Sequence, residues 1–351
     1  MLKSEILTPA LLLDLDAFEA NLARMMDQVK RSGKSIRPHA KAHKCVEIAK
    51  RQLAAGAIGV CVATLAEAEL MASAGITGIL LTSPVADPAK IARIVKTGAM
   101  VAVDHVKQVE WYQDAAKAAD RNVDMLIDLD VGDHRTGASS TAQALEIADA
   151  IARSSHLKLR GVQGYSGKGS HLEGEESVRL SGEVWAHAIE VRDALAKRGM
   201  ATDIVSGGST GTWQIDTKVP NLTEMQAGSF VLMDLEYRRS GVDFRQVITV
   251  LGTVVSANHD TFVTTDAGIK SFSTDRGFPP EAAHLAGLTY RFGGDEFGYL
   301  NVDDPAKLPR LGDKIEFIPP HCDPTVNLYT FMYACRGDRV EAVWPVKSLT
   351  V

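Results

Sequence analysis

The stretch "RPHAKAH", residues 37–43, places Arg37, His39, Lys41 and His43 at every second position, with Pro38, Ala40 and Ala42 between them. In an extended strand this spacing puts the cationic and imidazole groups on one face and the small residues on the other. A lysine in such a row can do covalent chemistry, because neighbouring positive charge favours its neutral, nucleophilic form. Read without that geometry, the same residues make a solvated basic loop, with Lys44 on the solvated parity. Further along, "SGGSTG" contains Gly207, Gly208, Ser209 and Thr210. Such a loop either turns several N–H groups and two hydroxyls toward a phosphate or is simply a turn. In "PPHCDPTVNLY", His321 and Asp323 lie two apart. If that segment is extended they face one way, offering a nitrogen and an oxygen to a cation while leaving positions open for water or substrate. Cys322 then points the other way, and a surface pairing remains the alternative.

The elements that must position these residues follow from the pattern. A chain of 351 residues exceeds the usual single domain, so one large domain and one smaller one are expected. A net charge of −6 offers no basic field for nucleic acid or anionic lipid. No stretch reads as a membrane span or a signal segment, and Cys45, Cys61, Cys322 and Cys335 show no C-x-x-C spacing. These features point to a cytoplasmic protein with reduced thiols, acting on a small molecule.

After a helix ending at Gly33, apolar runs alternate with amphipathic ones: "SIRPHAK", "IGVCVAT", "GILLTS", "MVAVD", "VDMLIDLD", "LRGVQGY", "DIVSGG" and "LTEMQAG" read as strands. One long helix is expected between Gly174 and Met200. Eight strand–helix units match the count of a (β/α)8 barrel, an α/β fold, over residues 1–240. From Val247 strands and turns take over, giving a β-rich domain over 241–351 that carries His321 and Asp323. The first few residues are expected to be able to pack with the second domain. In a barrel the loops after strands seven and eight are the usual phosphate site, and Gly207–Thr210 falls there.

Taken in order, "RPHAKAHK", "DVGDHRTG", "GVQGYSGKGSH", "SGGSTGTW", "EMQAGSFVLMD", "DAGIKSFSTDRG" and "HCDPTVNLY" resemble the D-threonine aldolase and D-serine dehydratase-like family. The resemblance runs from Thr8 to the C-terminus. It implies pyridoxal phosphate (PLP) on an alanine-racemase-like barrel, a homodimer, and a divalent metal beside the cofactor. Lys41 resembles the lysine that carries PLP as a Schiff base, Arg135 the arginine at the cofactor's phenolate oxygen, and His171 the catalytic histidine. Tyr165, which shares a strand face with Gln163, resembles a residue lining the cofactor. Gln226 and Gly228 correspond to the region of the pyridine nitrogen and phosphate. The implied reaction is cleavage of a D-3-hydroxy amino acid to glycine and an aldehyde, with His171 taking the hydroxyl proton. The dehydratase branch is implied to use His-x-Cys with zinc. His321-x-Asp323 supplies an oxygen instead, which suits Mn²⁺ or Mg²⁺ better than Zn²⁺. Dehydration of D-serine or 3-hydroxy-D-aspartate, racemisation, a non-catalytic PLP carrier, and a phosphate-binding barrel enzyme without PLP stay open as alternatives.

Overall fold

The computed structural model describes residues 1–172 and 174–347. The chain forms two compact units. Among the described residues, one contains 24–41 and 46–228, and the other contains 1–23, 42–45 and 229–347.

The first unit holds eight parallel strands: Ser35–Ile36, Cys61–Val62, Leu80–Leu81, Met100–Val103, Val123–Leu129, Leu157–Gly164, Ile204–Gly207 and Glu224–Met225. Seven fall within runs read from the sequence, and Leu157–Gly164 begins two residues before its run "LRGVQGY". Ser35–Ile36 pairs with Glu224–Met225, and a parallel bridge from His39 to Cys61 joins the remaining edges, so the sheet curls into a barrel. The cluster Cys61, Leu80, Leu126 and Ile204 packs between strands, as apolar runs buried on both faces require.

Local chemistry starts and stops the intervening helices. Thr64 Oγ1, at the N-cap, accepts from Glu67 N at 3.3 Å, and Glu67 Oε2 accepts from Ala63 N just before the cap at 2.7 Å. Asp87 caps the helix Pro88–Thr97, with proline in its first turn and Gly98 at φ 73° beyond its end. Gly174–Lys197 is the long helix expected from the sequence.

One irregularity matters downstream. Pairing between Val123–Leu129 and Leu157–Gly164 shifts register between Met125 and Leu126, where Gly161 has φ 146°. A Cβ at Gly161 would lie 1.9 Å from Ile204 O, so only glycine permits this bulge. The bulge sets Gln163 opposite Asp128.

The second unit is a mixed sheet in which Ile248–Ser256 pairs antiparallel with Ala10–Asp14, Phe262–Thr265 and Lys314–Ile318. Phe272, Tyr290 and Phe317 pack edge to face, with centroids 5.5–5.8 Å apart. The division falls at Ser229, earlier than the expected 240. Leu235 N donates to Pro319 O at 3.1 Å and Val247 N to Leu232 O at 3.0 Å, tying residues 229–239 into this unit. The strand Ala10–Asp14 belongs here too, lying parallel to Phe331–Arg336. All four cysteines are free and buried. Among the described residues no helix is long and apolar enough to cross a membrane.

Candidate active site

Strand alternation does not govern "RPHAKAH" throughout. The strand ends at Ile36 and a 3-10 turn occupies Ala40–Ala42, so parity cannot be carried through Lys41 to His43. Arg37 is buried inside the barrel, its guanidinium 3.2 and 3.0 Å from the two oxygens of Glu224, which counters its charge. His39 Nδ1 accepts from Lys41 N at 3.4 Å, and its Nε2 lies 3.1 Å from Thr82 Oγ1. Thr82 donates its own proton to Val62 O at 3.1 Å, so His39 Nε2–H is the donor of that pair. His43 belongs to the other unit, where it is buried and its Nδ1 accepts from Cys45 N at 3.1 Å. Lys44 is only 2 % exposed, with φ 46°. The solvated position expected for it is wrong because the chain has left the strand.

Lys41 lines a cavity of about 370 Å³ together with Thr82, Arg135, Gln163, Tyr165 and Gln226. The Lys41 side-chain nitrogen lies 5.7 Å and the Arg135 guanidinium 5.0 Å from the Tyr165 ring centroid, so both groups neighbour one aromatic ring. The Arg135 loop is held by Asp130, which accepts from Gly132 N and His134 N at 3.0 Å each. The cavity wall continues into a buried polar chain. Gln163 Nε2 donates to Thr82 O at 2.7 Å and to Asp128 Oδ1 at 2.8 Å, and Gln163 Oε1 accepts from Gln226 Nε2 at 3.1 Å. Gln226 Nε2 also reaches Ser206 Oγ at 2.9 Å, and Thr136 Oγ1 donates to Asp128 Oδ2 at 2.8 Å. Burial pushes the Asp128 carboxyl up to about 6, against the opposing hydrogen bonds from Gln163 and Thr136. Sequence reasoning missed Asp128, although a carboxylate inside the apolar run "MLIDLD" is the signal that could have found it.

In the glycine-rich loop the polar groups hydrogen-bond to neighbouring residues. Ser209 N donates to Asp216 Oδ2 at 3.3 Å, and Ser209 Oγ lies 2.8 Å from Thr212 Oγ1, so these groups are engaged within the loop. Asp216 also accepts from Thr212 Oγ1 and, at 2.8 Å, from Trp185 Nε1. Burial raises this carboxyl to about 6 as well. Gly208 and Ser209 line a water-sized cavity of about 20 Å³ beside Tyr165 and Asp216, whereas Thr210 is buried. Gly207 and Gly228 are required by the protein's own packing. A Cβ at Gly207 would lie 2.0 Å from Gly164 O, and one at Gly228 2.5 Å from His39 O.

His171 ends the 3-10 turn Gly169–His171 and is half-buried, outside the wall of the 370 Å³ cavity. Two contacts fix its turn. Gly167 N and Ser166 Oγ donate to Asp133 at 2.5 and 2.8 Å, and Gly211 sits so close that a Cβ there would lie 1.7 Å from Ser170 O. The turn is therefore locked to both the Arg135 loop and the glycine-rich loop.

In the other unit, His321 and Asp323 do not lie on an extended segment. His321 caps the short helix Cys322–Val326, which contains Asp323, so strand alternation is not what relates them. His321 Nδ1 is 2.8 Å from Asp275 Oδ2. Asp323 Oδ1 accepts from Cys322 Sγ at 3.3 Å and from Ser229 Oγ at 3.5 Å. Cys322 is fully buried. Among the described residues no three His, Cys, Asp or Glu side chains form a ready cation cage.

Both donor sets suit the groups the sequence implied. A primary amine and a guanidinium facing a cavity of ligand size suit an aldehyde cofactor bearing an oxyanion. One imidazole nitrogen and one carboxylate suit a cation that keeps open positions.

Comparison with known proteins places the chain in a family. The family described as "Alanine racemase, N-terminal domain" matches residues 13–236, and "Putative serine dehydratase domain" matches residues 248–335. A D-threonine aldolase of Arthrobacter sp is 36% identical, with the alignment covering 97% of this chain and 92% of that protein. A 3-hydroxy-D-aspartate aldolase of Paracoccus denitrificans (strain Pd 1222) is 34% identical over 99% of this chain and 93% of that one. The crystal structure of D-threonine aldolase from Filomicrobium marinum superposes with a TM-score of 0.95 at 34% identity, covering 98% of this chain and 95% of that chain.

Proposed function

Because this chain belongs to the alanine racemase N-terminal domain family and carries a serine-dehydratase-type second domain, we propose that it is a PLP-dependent, divalent-cation-dependent lyase that cleaves D-3-hydroxy amino acids to glycine and an aldehyde. The observation that carries the reading is Lys41, a primary amine presented with Arg135 and Tyr165 to one cavity at the C-terminal end of barrel strands. When bound, PLP supplies an electron sink for the pair released as Cα–Cβ breaks, and the cation supplies positive charge for the substrate oxygen.

The chain's own residues do the rest. Lys41 would anchor the cofactor through its amine. Arg135 holds a fixed positive charge near the Tyr165 ring and would counter negative charge on the cofactor. Gln163 and Gln226 line the wall, Gln163 being oriented by Asp128, and Gly207, Gly208, Ser209, Thr210 and Gly228 would help to hold the phosphate. His171 accepts the proton of the β-hydroxyl as that bond system collapses. His321 and Asp323 hold the cation, and the carboxylate favours Mn²⁺ or Mg²⁺ over Zn²⁺. Buried free cysteines accord with a reducing cytoplasmic setting, and the family likeness carries the proposal of a homodimer.

The second domain's description favours dehydration as the other reading. Asp323 in place of a thiolate argues for cleavage, because an oxygen-ligated harder cation polarises a hydroxyl without extracting it. The deciding experiment offers D-threonine, D-serine and 3-hydroxy-D-aspartate separately to protein loaded with PLP and Mn²⁺. Glycine with an aldehyde is expected, whereas ammonia with an oxo acid would replace aldolase by dehydratase.

A further inference from the structure

The segment that follows Ile269–Ser271 is clamped against the turn that carries His321. Ser273 Oγ donates to His321 O at 3.2 Å and accepts from His321 N at 3.2 Å, and Ser273 N donates to Thr325 Oγ1 at 3.0 Å. Tyr329 Oη adds a bond to Ser271 O at 3.0 Å. This clamp brings two side chains of opposite charge to opposite edges of the His321 ring. Asp275 Oδ2 lies 2.8 Å from Nδ1, and Arg276 Nη2 lies 3.3 Å from Nε2.

These contacts fix which nitrogen carries the proton. A carboxylate can only accept, so Nδ1 is the N–H. A guanidinium can only donate, so Nε2 presents its lone pair. The lone pair faces a position that already accommodates a cationic group, and Arg276 is held there by Glu236, whose Oε2 is 2.5 Å from Arg276 Nε.

We infer that Asp275 is a positioning residue for the cation site. It holds His321 in the Nδ1–H tautomer and aims Nε2 at the cation, while Arg276 competes for the same lone pair. This rests on the reading of His321 and Asp323 as cation ligands and adds two residues that set the affinity. The general precedent is the carboxylate–histidine–metal arrangement, in which loss of the outer carboxylate typically costs about 10–100-fold in metal affinity.

The test measures binding of Mn²⁺ alone to the PLP-loaded full-length protein, by the electron paramagnetic resonance signal of free Mn²⁺, so that the readout is independent of turnover. Asp275→Ala is expected to weaken binding by about 10–100-fold. Asp275→Asn, whose amide oxygen still accepts from Nδ1–H, is expected to recover part of that loss. Arg276→Gln is expected to bind Mn²⁺ at least as tightly as the wild type, because it removes the competing cation. Circular dichroism and the PLP absorption band establish that each variant is folded. An Asp275→Ala affinity within about two-fold of wild type would overturn the proposal, as would equal weakening in all three variants. Absence of Mn²⁺ binding by the wild-type protein would overturn the cation reading itself, and this inference with it.

Discussion

Asp128 provides the sharpest quantitative test of the buried network behind the candidate active site. Its carboxyl is 5 % exposed, and burial moves it from 3.8 to about 6 despite bonds from Gln163 and Thr136. A carboxyl whose folded pKa is raised binds its proton more tightly in the native state. Its contribution to stability is therefore complete below about pH 4 and is lost as pH rises through about 6. Two pKa units at about 1.4 kcal/mol each make the whole loss about 3 kcal/mol, of which roughly 2.5 kcal/mol falls between pH 4 and 7.5. Asp128→Asn removes the titration and keeps the shape, since its amide oxygen can accept from Gln163 while its NH₂ donates to Thr136. Any constant effect of the amide appears equally at every pH. Urea unfolding followed by tryptophan fluorescence, repeated across that range for both proteins, isolates the pH-dependent part. The difference should move in favour of the Asn variant by roughly 2.5 kcal/mol as pH rises. Using a difference also cancels Asp216, which is pushed up to about 6 in both proteins. Parallel stability profiles would refute the assignment of a buried, proton-holding carboxyl behind Gln163.

Other perturbations test the remaining parts of the site. Glu224→Ala strands the Arg37 guanidinium inside the barrel, where the paired side chains are only 6% and 7% exposed, and should cost about 3–5 kcal/mol of unfolding free energy; a loss below about 1 kcal/mol would mean that water reaches the pair. His171→Ala should leave the absorption band of the bound cofactor in place while lowering kcat for cleavage by about 10²–10⁴-fold, and full retained activity would remove His171 from the reaction. Chelation should suppress cleavage, and Mn²⁺ should restore it more completely than Zn²⁺, the reverse order counting against Asp323 as a ligand.

Much of the barrel was legible because each strand is a short apolar run closed by a turn signal, and a parallel sheet covered by helices demands that pattern. The β-rich unit was legible from the change of pattern after Val247. Its early boundary was not, because residues 229–239 read as a continuation of the barrel, and only their bonds to Val247, Ile248 and Pro319 assign them elsewhere. The pairing of Ala10–Asp14 with Ile248–Ser256 joins residues more than two hundred positions apart, which no local pattern reports.

The site residues show a different limit. Alternation holds only while the backbone stays in a strand, and the groups proposed for chemistry stand where the backbone leaves it. Lys41 lies on a 3-10 turn past Ile36, and His321 caps a helical turn in place of a strand. Gln163, by contrast, remains within its strand, but a bulge at Gly161 resets its register to face Asp128. Barrel enzymes place reactive groups at the C-terminal ends of strands because departing loops can aim a side chain where a pleated strand cannot. Residue type therefore identifies candidates such as Lys41 and His321 from sequence, while their partners, Thr82 for His39 and Asp275 for His321, are set by loop closure between distant segments. For the same reason the partners are the informative mutations: they change the aim of a group without removing it, and so separate the chemistry from the scaffold that directs it.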